Sequence, residues 1–216
     1  MKKFLSVAVM LLAFAAIANA RGKLGFTVEA GLNLSKFSGD TSDGESSLLY
    51  GDCEMKPGFQ IGVMVDVPFT DAIYLKSGLK YTQLGSKSEW KDDREDTTDK
   101  VILGCLQLPI LFSYRYAISN SIELQGNVEP YLAVALHGKY KFESDEYGEH
   151  YESDEDIEFG DEFKRFDFGL VLPSVGVKIS NFYVGVSNEI GLINLSADDD
   201  FKFRNYCFSI NVGYTF

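Results

Sequence analysis

From Leu24 to Phe216 the chain repeatedly alternates large apolar residues with small or polar ones, and this alternation limits its possible folds more than any other feature. In the last stretch, apolar side chains occupy positions 208, 210, 212, 214 and 216, with Ser, Asn, Gly and Thr between them. Successive side chains of a strand point to opposite faces, so this spacing predicts a strand with one apolar face. Such a strand at a chain end needs a neighbour, and we expect it to close a barrel by pairing with the first strand.

The same alternation recurs along the chain and predicts eight strands. Their apolar faces lie within residues 24–34, 59–67, 73–81, 106–116, 122–136, 166–179, 182–192 and 208–216. In the sixth, the apolar positions change parity at Pro173, which predicts a β-bulge because proline cannot donate to the ladder. The connections alternate long and short, so an antiparallel meander sends all the long ones to one side. The sequence therefore predicts an all-β fold, an eight-stranded antiparallel up-and-down transmembrane β-barrel with long acidic extracellular loops and short periplasmic turns.

Alternation alone does not say which face points inward, because a soluble barrel such as a lipocalin has the same period in the opposite sense. Three observations favour an apolar exterior. The polar faces carry many glycines, which suit a crowded lumen. They also carry both signs of charge, such as Glu29 and Glu129 against Lys76 and Lys80, and these can satisfy one another inside. Aromatic residues gather toward both ends of the strands, as in the girdles of membrane barrels.

The first twenty residues are typical of a cleaved signal peptide. Lys2 and Lys3 precede an apolar run, and Ala18-Asn19-Ala20 has the form of a signal-peptidase site. We therefore predict a signal peptide over residues 1–20, an outer-membrane β-barrel domain over residues 21–216, and export to the cell outer membrane. The formal net charge of −12 becomes −14 without the two lysines, because residues 1–20 contain no acid. This charge argues against nucleic acid as a partner.

Few residues could carry catalysis or bind a metal. The cysteines, Cys53, Cys105 and Cys207, are widely spaced and form no CxxC motif; the last two are predicted to face inward as buried thiols, and a disulfide stays open as the less favoured alternative. His137 is also predicted to face inward, whereas His150 lies in an acidic segment. No GxSxG, HExxH or phosphate-loop motif is present. We predict no catalytic, cofactor-binding or metal-binding residues, and no enzymatic activity.

The long connections are strongly acidic. They hold most of the chain's 32 Asp and Glu residues, eleven of them between Glu143 and Glu162. Trp90 is expected in one of these polar loops and Asp198-Asp199-Asp200 in another. Solvated loops that repel one another account for this charge. Weak capture of Ca²⁺ or Mg²⁺, bridging to lipopolysaccharide phosphates, is the alternative, although no EF-hand spacing occurs.

Five short segments are spread over nearly the whole mature chain. They are Gly31-Leu32-Asn33-Leu34-Ser35, Lys56-Pro57-Gly58-Phe59 with Gly62, Leu106-Gln107-Leu108-Pro109, Glu129-Pro130-Tyr131 and Val212-Gly213-Tyr214-Thr215-Phe216. Together they resemble the PorT-type outer-membrane β-barrel proteins. The resemblance implies an eight-stranded barrel, inserted by the outer-membrane assembly machinery, which in such proteins reads the last strand. It implies no enzymatic activity, and a role in protein secretion is attributed to the namesake alone.

These observations predict a non-enzymatic envelope protein, structural or interacting, whose acidic external loops contact a partner. The expected partners are outer-membrane lipid and lipopolysaccharide, an unidentified protein at the loops, and the assembly machinery through the C-terminal strand ending in Phe216; we expect a monomer. Two alternatives stay open. One is a narrow channel for small solutes or ions, disfavoured because side chains about fill the lumen of an eight-stranded barrel. The other is a lipid-modifying outer-membrane enzyme.

Overall fold

The computed structural model describes residues 24–41, 53–92, 95–146, 149–161, 163–197 and 201–216 and contains nine β-strands within them. They are β1 (Gly25–Thr41), β2 (Lys56–Pro68), β3 (Ile73–Asp92), β4 (Glu95–Ser119), β5 (Ile122–Glu146), β6 (Glu149–Asp156), β7 (Phe166–Ile179), β8 (Phe182–Gly191) and β9 (Phe201–Thr215). This part of the chain has no helix long and apolar enough to cross a membrane. The predicted signal peptide, residues 1–20, lies outside the described residues.

Eight of these strands close into a ring. Each pairs antiparallel with the next in the order β1, β2, β3, β4, β5, β7, β8 and β9, and β9 pairs with β1 from Thr27↔Thr215 to Thr41↔Phe201. The backbone N–H of Phe216 extends this closure by donating to the carbonyl of Phe26 at 2.8 Å. The predicted eight-stranded antiparallel barrel is confirmed. Its short turns, at residues 69–72, 120–121 and 180–181, lie at one end of the barrel, together with the start of β1 and the end of β9. We call the opposite end of the barrel the outer end.

Apolar side chains point out of the ring and polar side chains point into it. On β1, Leu32 is 71% exposed whereas the adjacent Asn33 is 1% exposed. Likewise, Leu132 on β5 and Val184 on β8 are exposed, whereas Glu129 and Glu189 on the same two strands are buried. A continuous apolar exterior of this kind would be a liability in water but is what a hydrocarbon environment requires. The observed sense is therefore the membrane one, opposite to that of a lipocalin.

Two of the register shifts in the described sheet affect the predicted side-chain directions. One falls at Pro173, as predicted: the β7–β8 register shifts between Val171 and Ser174. The other, between Gly104 and Cys105 on β4, leaves Leu136 of β5 without a paired residue. His137 consequently points outward, and the prediction that it faces inward is wrong. Strict alternation along β5 could not reveal this extra residue, because the bulge depends on the pairing with β4.

The strands continue past their predicted ends on the outer side. Segments 85–92, 95–100 and 138–146, which we predicted to be loop, belong to β3, β4 and β5, and residues 149–156 form β6, which pairs with β5. The expectation of long acidic loops is wrong for these segments, and Trp90 lies on a strand. Strands were identified by apolar outward faces, and that signal ends where outward side chains meet water. Asp198-Asp199-Asp200 lies outside the described residues.

Candidate functional site

Ion pairs fill much of the barrel interior. Arg115 Nη2 lies 3.0 Å from Asp66 Oδ1, Lys80 Nζ lies 3.3 Å from Glu129 Oε1, and Lys76 pairs with Glu29. Each pair joins strands that have one other strand between them, so the side chains reach along the inner wall over a neighbour. Buried charges need such partners, because burial removes the water that would otherwise solvate them.

Little space remains between these side chains. A cavity of about 30 Å³ lies among Glu29, Lys76 and Tyr183, with room for one or two water molecules. The Tyr183 ring occupies the space over two glycines: a Cβ at Gly176 or Gly185 would approach its ring carbons within 2.6 Å. The glycines of the inner face therefore admit large side chains, and the lumen is filled as eight strands lead one to expect.

The interior becomes apolar toward the outer end. The outer apolar cluster consists of Phe37, Leu84, Val101, Leu103, Cys105, Ala135, Ile157, Leu195, Phe203 and Cys207, with Tyr140, Phe159 and Phe163 packed against it. The rings of Phe37 and Phe203 are 5.3 Å apart, and those of Phe163 and Phe203 are 5.1 Å apart. This cluster covers the polar lumen. Cys105 and Cys207 face inward, as predicted.

The sequence interpretation missed the outer apolar cluster. Its signal was the run Val101-Ile102-Leu103, in which both strand faces are apolar. Val101 and Leu103 are buried inside the barrel, whereas the Ile102 side chain lies outside near the end of the apolar exterior. A strand that crosses from lipid to water carries apolar residues on both faces over the short stretch where the two environments meet.

Beyond that boundary, β3 to β6 form a projecting sheet, which we define as residues 83–92, 95–104 and 137–146 together with β6. Three lysines lie side by side across its outward face, because Lys87 is opposite Lys100 and Lys100 is opposite Lys141. Adjacent like charges repel, and each lysine has a carboxylate partner. The pairs are Lys87 with Glu89, Lys100 with Glu143 at 2.7 Å and Lys141 with Asp154 at 3.0 Å.

For two of the three lysines, the carboxylate partner also favours the charged form. The hydrogen bond to Glu89 raises the pKa of Lys87, and the hydrogen bond to Asp154 raises the pKa of Lys141. On the inward face of the same sheet, burial raises the pKa of the Tyr140 hydroxyl, which donates to Asp99. The outward face of the projecting sheet therefore has no surplus of positive charge, because carboxylates surround its lysines.

The strand β6 is the acidic edge of the projecting sheet. Its sequence, EHYESDED, contains five carboxylates and no Lys or Arg. Within the described ranges it pairs with β5 and with no other strand. Ile157 N donates to Gly138 O at 3.1 Å, so residues 138 and 157 form a hydrogen-bonded pair of the ladder. Because such pairs alternate, the backbone groups of Glu152, Asp154 and Asp156 point away from β5.

The two histidines lie in different settings, neither of them the lumen. His137 Nε2 is 3.1 Å from the Tyr81 hydroxyl on the outer surface, and the two rings stack 6.3 Å apart. Phe59 lies 5.7 Å from Tyr81, which makes this group part of the aromatic girdle at the lipid boundary. His150 lies on β6. Among the residues that the structure describes, no three His, Cys, Asp or Glu side chains form a cluster that could hold a metal ion.

Comparison with known proteins gives one family match. Residues 14–197 match the family described as Outer membrane protein beta-barrel domain. No curated protein sequence matches the chain.

The barrel is similar to several solved structures at low sequence identity. They include Ail, the attachment invasion locus protein of Yersinia pestis (16% identity, 90% of this chain and 100% of that chain covered, TM-score 0.38); Neisserial surface protein A (14% identity, 88% and 97% covered, TM-score 0.41); and the N-terminal β-barrel domain of OprF of Pseudomonas aeruginosa (10% identity, 87% and 97% covered, TM-score 0.32).

Proposed function

Because the chain belongs to the family of outer membrane protein beta-barrel domains, we propose that it serves as a non-enzymatic interaction protein of the outer membrane. Its binding element is the projecting sheet, and its partner is a basic, extended segment of another protein. The finer assignment to the PorT-type proteins, the signal peptide over residues 1–20 and the monomeric state stay predictions.

The edge of β6 is the observation that carries this proposal. An edge strand offers unpaired backbone donors and acceptors to an incoming strand, and the side chains along it select the partner. Glu152, Asp154, Glu155 and Asp156 are all exposed. This charge favours a strand that carries lysine or arginine, and it disfavours a second copy of β6 by repulsion. The acidic edge therefore combines a general means of attachment with a preference for basic partners.

The interior of the barrel gives less support to the two alternatives. A cavity of about 30 Å³ beneath the outer apolar cluster is too small for solute passage in this state. The lipid-modifying enzyme would need a nucleophile and a base within hydrogen-bonding reach of each other, and His137 instead contacts a girdle tyrosine.

The proposal can be tested by measuring how the folded full-length chain in detergent binds a synthetic peptide of alternating Lys and Thr. The double variant Glu152→Gln/Asp156→Asn should weaken binding several-fold, mainly through a slower association rate that depends on salt. The matched control, Glu158→Gln/Asp161→Asn, removes the same charge from exposed residues beyond β6. Binding should also protect the backbone amides of β6 from hydrogen exchange. Equal weakening by both double variants, without protection of β6, would contradict the proposal.

A further inference from the structure

Two buried carboxylates of the lumen lie outside its three ion pairs. Asp167 on β7 is 8% exposed and Glu189 on β8 is 4% exposed. Among the described residues neither forms an ion pair with a Lys or Arg; Lys80 acts on Glu189 at longer range, but its hydrogen bond goes to Glu129 at 3.3 Å. Burying two negative charges without a dedicated positive partner is energetically costly. A cation or protons are therefore needed to neutralise this part of the lumen.

Two side-chain amides hold Glu189. Its Oε1 atom accepts hydrogen bonds from Gln107 Nε2 at 3.0 Å and from Asn205 Nδ2 at 3.1 Å. In a planar amide the oxygen lies about 2.3 Å from the nitrogen, so both amide oxygens lie within about 5.4 Å of Glu189 Oε1. Turning either amide over would aim its oxygen at the carboxylate, which fixes the present orientation.

Three oxygens at this place are buried and accept no hydrogen bond from any described residue. They are Gln107 Oε1, Asn205 Oδ1 and Asp167 Oδ1, on side chains that are 0%, 1% and 8% exposed. The other oxygen of Asp167 accepts from the Tyr131 hydroxyl at 3.0 Å, and Tyr131 also interacts with Asn205. Tyr131 thus links Asp167 to the group around Glu189. Buried acceptors normally have a donor or a cation as partner.

We propose that Gln107, Asp167, Glu189 and Asn205 form a binding site for one calcium ion inside the barrel. Carboxylate and amide oxygens are the ligands of hard cations, and two carboxylates balance the charge of a divalent one. Calcium accepts irregular coordination by oxygen, whereas magnesium demands near-ideal octahedral geometry. The ligands come from β4, β7, β8 and β9, so the ion ties together strands on both sides of the barrel. The competing account is that protons neutralise the two carboxylates.

The test is the calcium content of the full-length chain, folded in detergent with CaCl₂ and then washed with EGTA to strip weakly held surface ions. The wild-type barrel should retain one calcium per chain, measured by mass spectrometry. Glu189→Gln and Asp167→Asn keep the side-chain shapes and should each weaken calcium binding at least tenfold. The surface variant Glu152→Gln/Asp156→Asn should retain the ion, which separates the lumen site from the acidic edge.

Heat-modifiable gel migration shows which variants fold. A wild-type barrel without retained calcium, or folded Glu189→Gln that retains as much as the wild type, would overturn the proposal in favour of protonation. Should neither lumen variant fold, the melting temperature of the wild-type barrel decides. An increase with CaCl₂ that MgCl₂ does not reproduce supports the site, and equal melting with CaCl₂ and EGTA refutes it.

Discussion

Replacing Arg115 by methionine should destabilise the folded barrel by about 3–5 kcal/mol, because it leaves the buried carboxylate of Asp66 without its positive partner. The two side chains are only 8% and 6% exposed and are joined at 3.0 Å. Asp66 keeps one further hydrogen bond, from Thr27 Oγ1 at 3.0 Å, which cannot neutralise its charge. Lys100→Met removes an ion pair of similar length from the projecting sheet, where the side chains are 28% and 33% exposed, and should cost about 0–1 kcal/mol.

The free energy of unfolding can be measured by urea titration of the folded chain in lipid vesicles, followed by circular dichroism and by gel migration. The double variant Asp66→Asn/Arg115→Met removes both charges. Its loss should be smaller than the sum of the two single losses, with a coupling of about 1–3 kcal/mol. The reasoning fails if Arg115→Met costs no more than Lys100→Met, or if the single losses add.

Three further outcomes are expected. Phe203→Ala should cost about 3–5 kcal/mol by opening a cavity in the outer apolar cluster, and it should speed proteolysis of the projecting sheet; an unchanged rate would show that the cluster does not hold the sheet. Deleting Phe216 should impair insertion by the assembly machinery more than deleting Met55, an exposed residue at the outer end, and equal insertion would speak against a role of the terminal aromatic. The pKa of Tyr140 is raised above its usual 10.0 by burial, so its contribution to stability is complete below about pH 10 and is lost as the pH rises through the higher folded value. Tyr140→Phe should therefore lose less stability than the wild type between about pH 9 and 12, and identical profiles would exclude this contribution.

Alternation of apolar and polar residues predicted the strands correctly where the barrel faces lipid. The apolar positions of β2, from Phe59 to Val67, and those of β9 follow the spacing of the sequence with few exceptions. Hydrocarbon admits no polar outward side chain at low cost, so the outer face of each strand has to be apolar there. The bulge at Pro173 was predictable for the same reason, because it shifts the parity of that face.

Alternation with an apolar outward face no longer marks the strands where they leave the lipid. On β4, Lys100 points outward while Val101 and Leu103 point inward, the reverse of the pattern a few residues further along. Outside the membrane the solvent is water, so the apolar residues move to the interior and the charged ones to the exterior. A search for apolar outward faces therefore read the projecting sheet as loop and missed β6.

The sequence by itself determined the class of fold, the number of strands in the ring and which faces point outward. Each of these follows from the alternation, because within the membrane the apolar face of a strand has to meet lipid and the polar face has to be kept away from it. Tertiary structure alone decided which charges meet. Gln107 and Glu189 are 82 residues apart and lie on strands that do not pair, yet the closed ring brings them to 3.0 Å. Such pairings depend on the shear of the whole barrel and on its bulges. The alternation within a single strand contains no information about either.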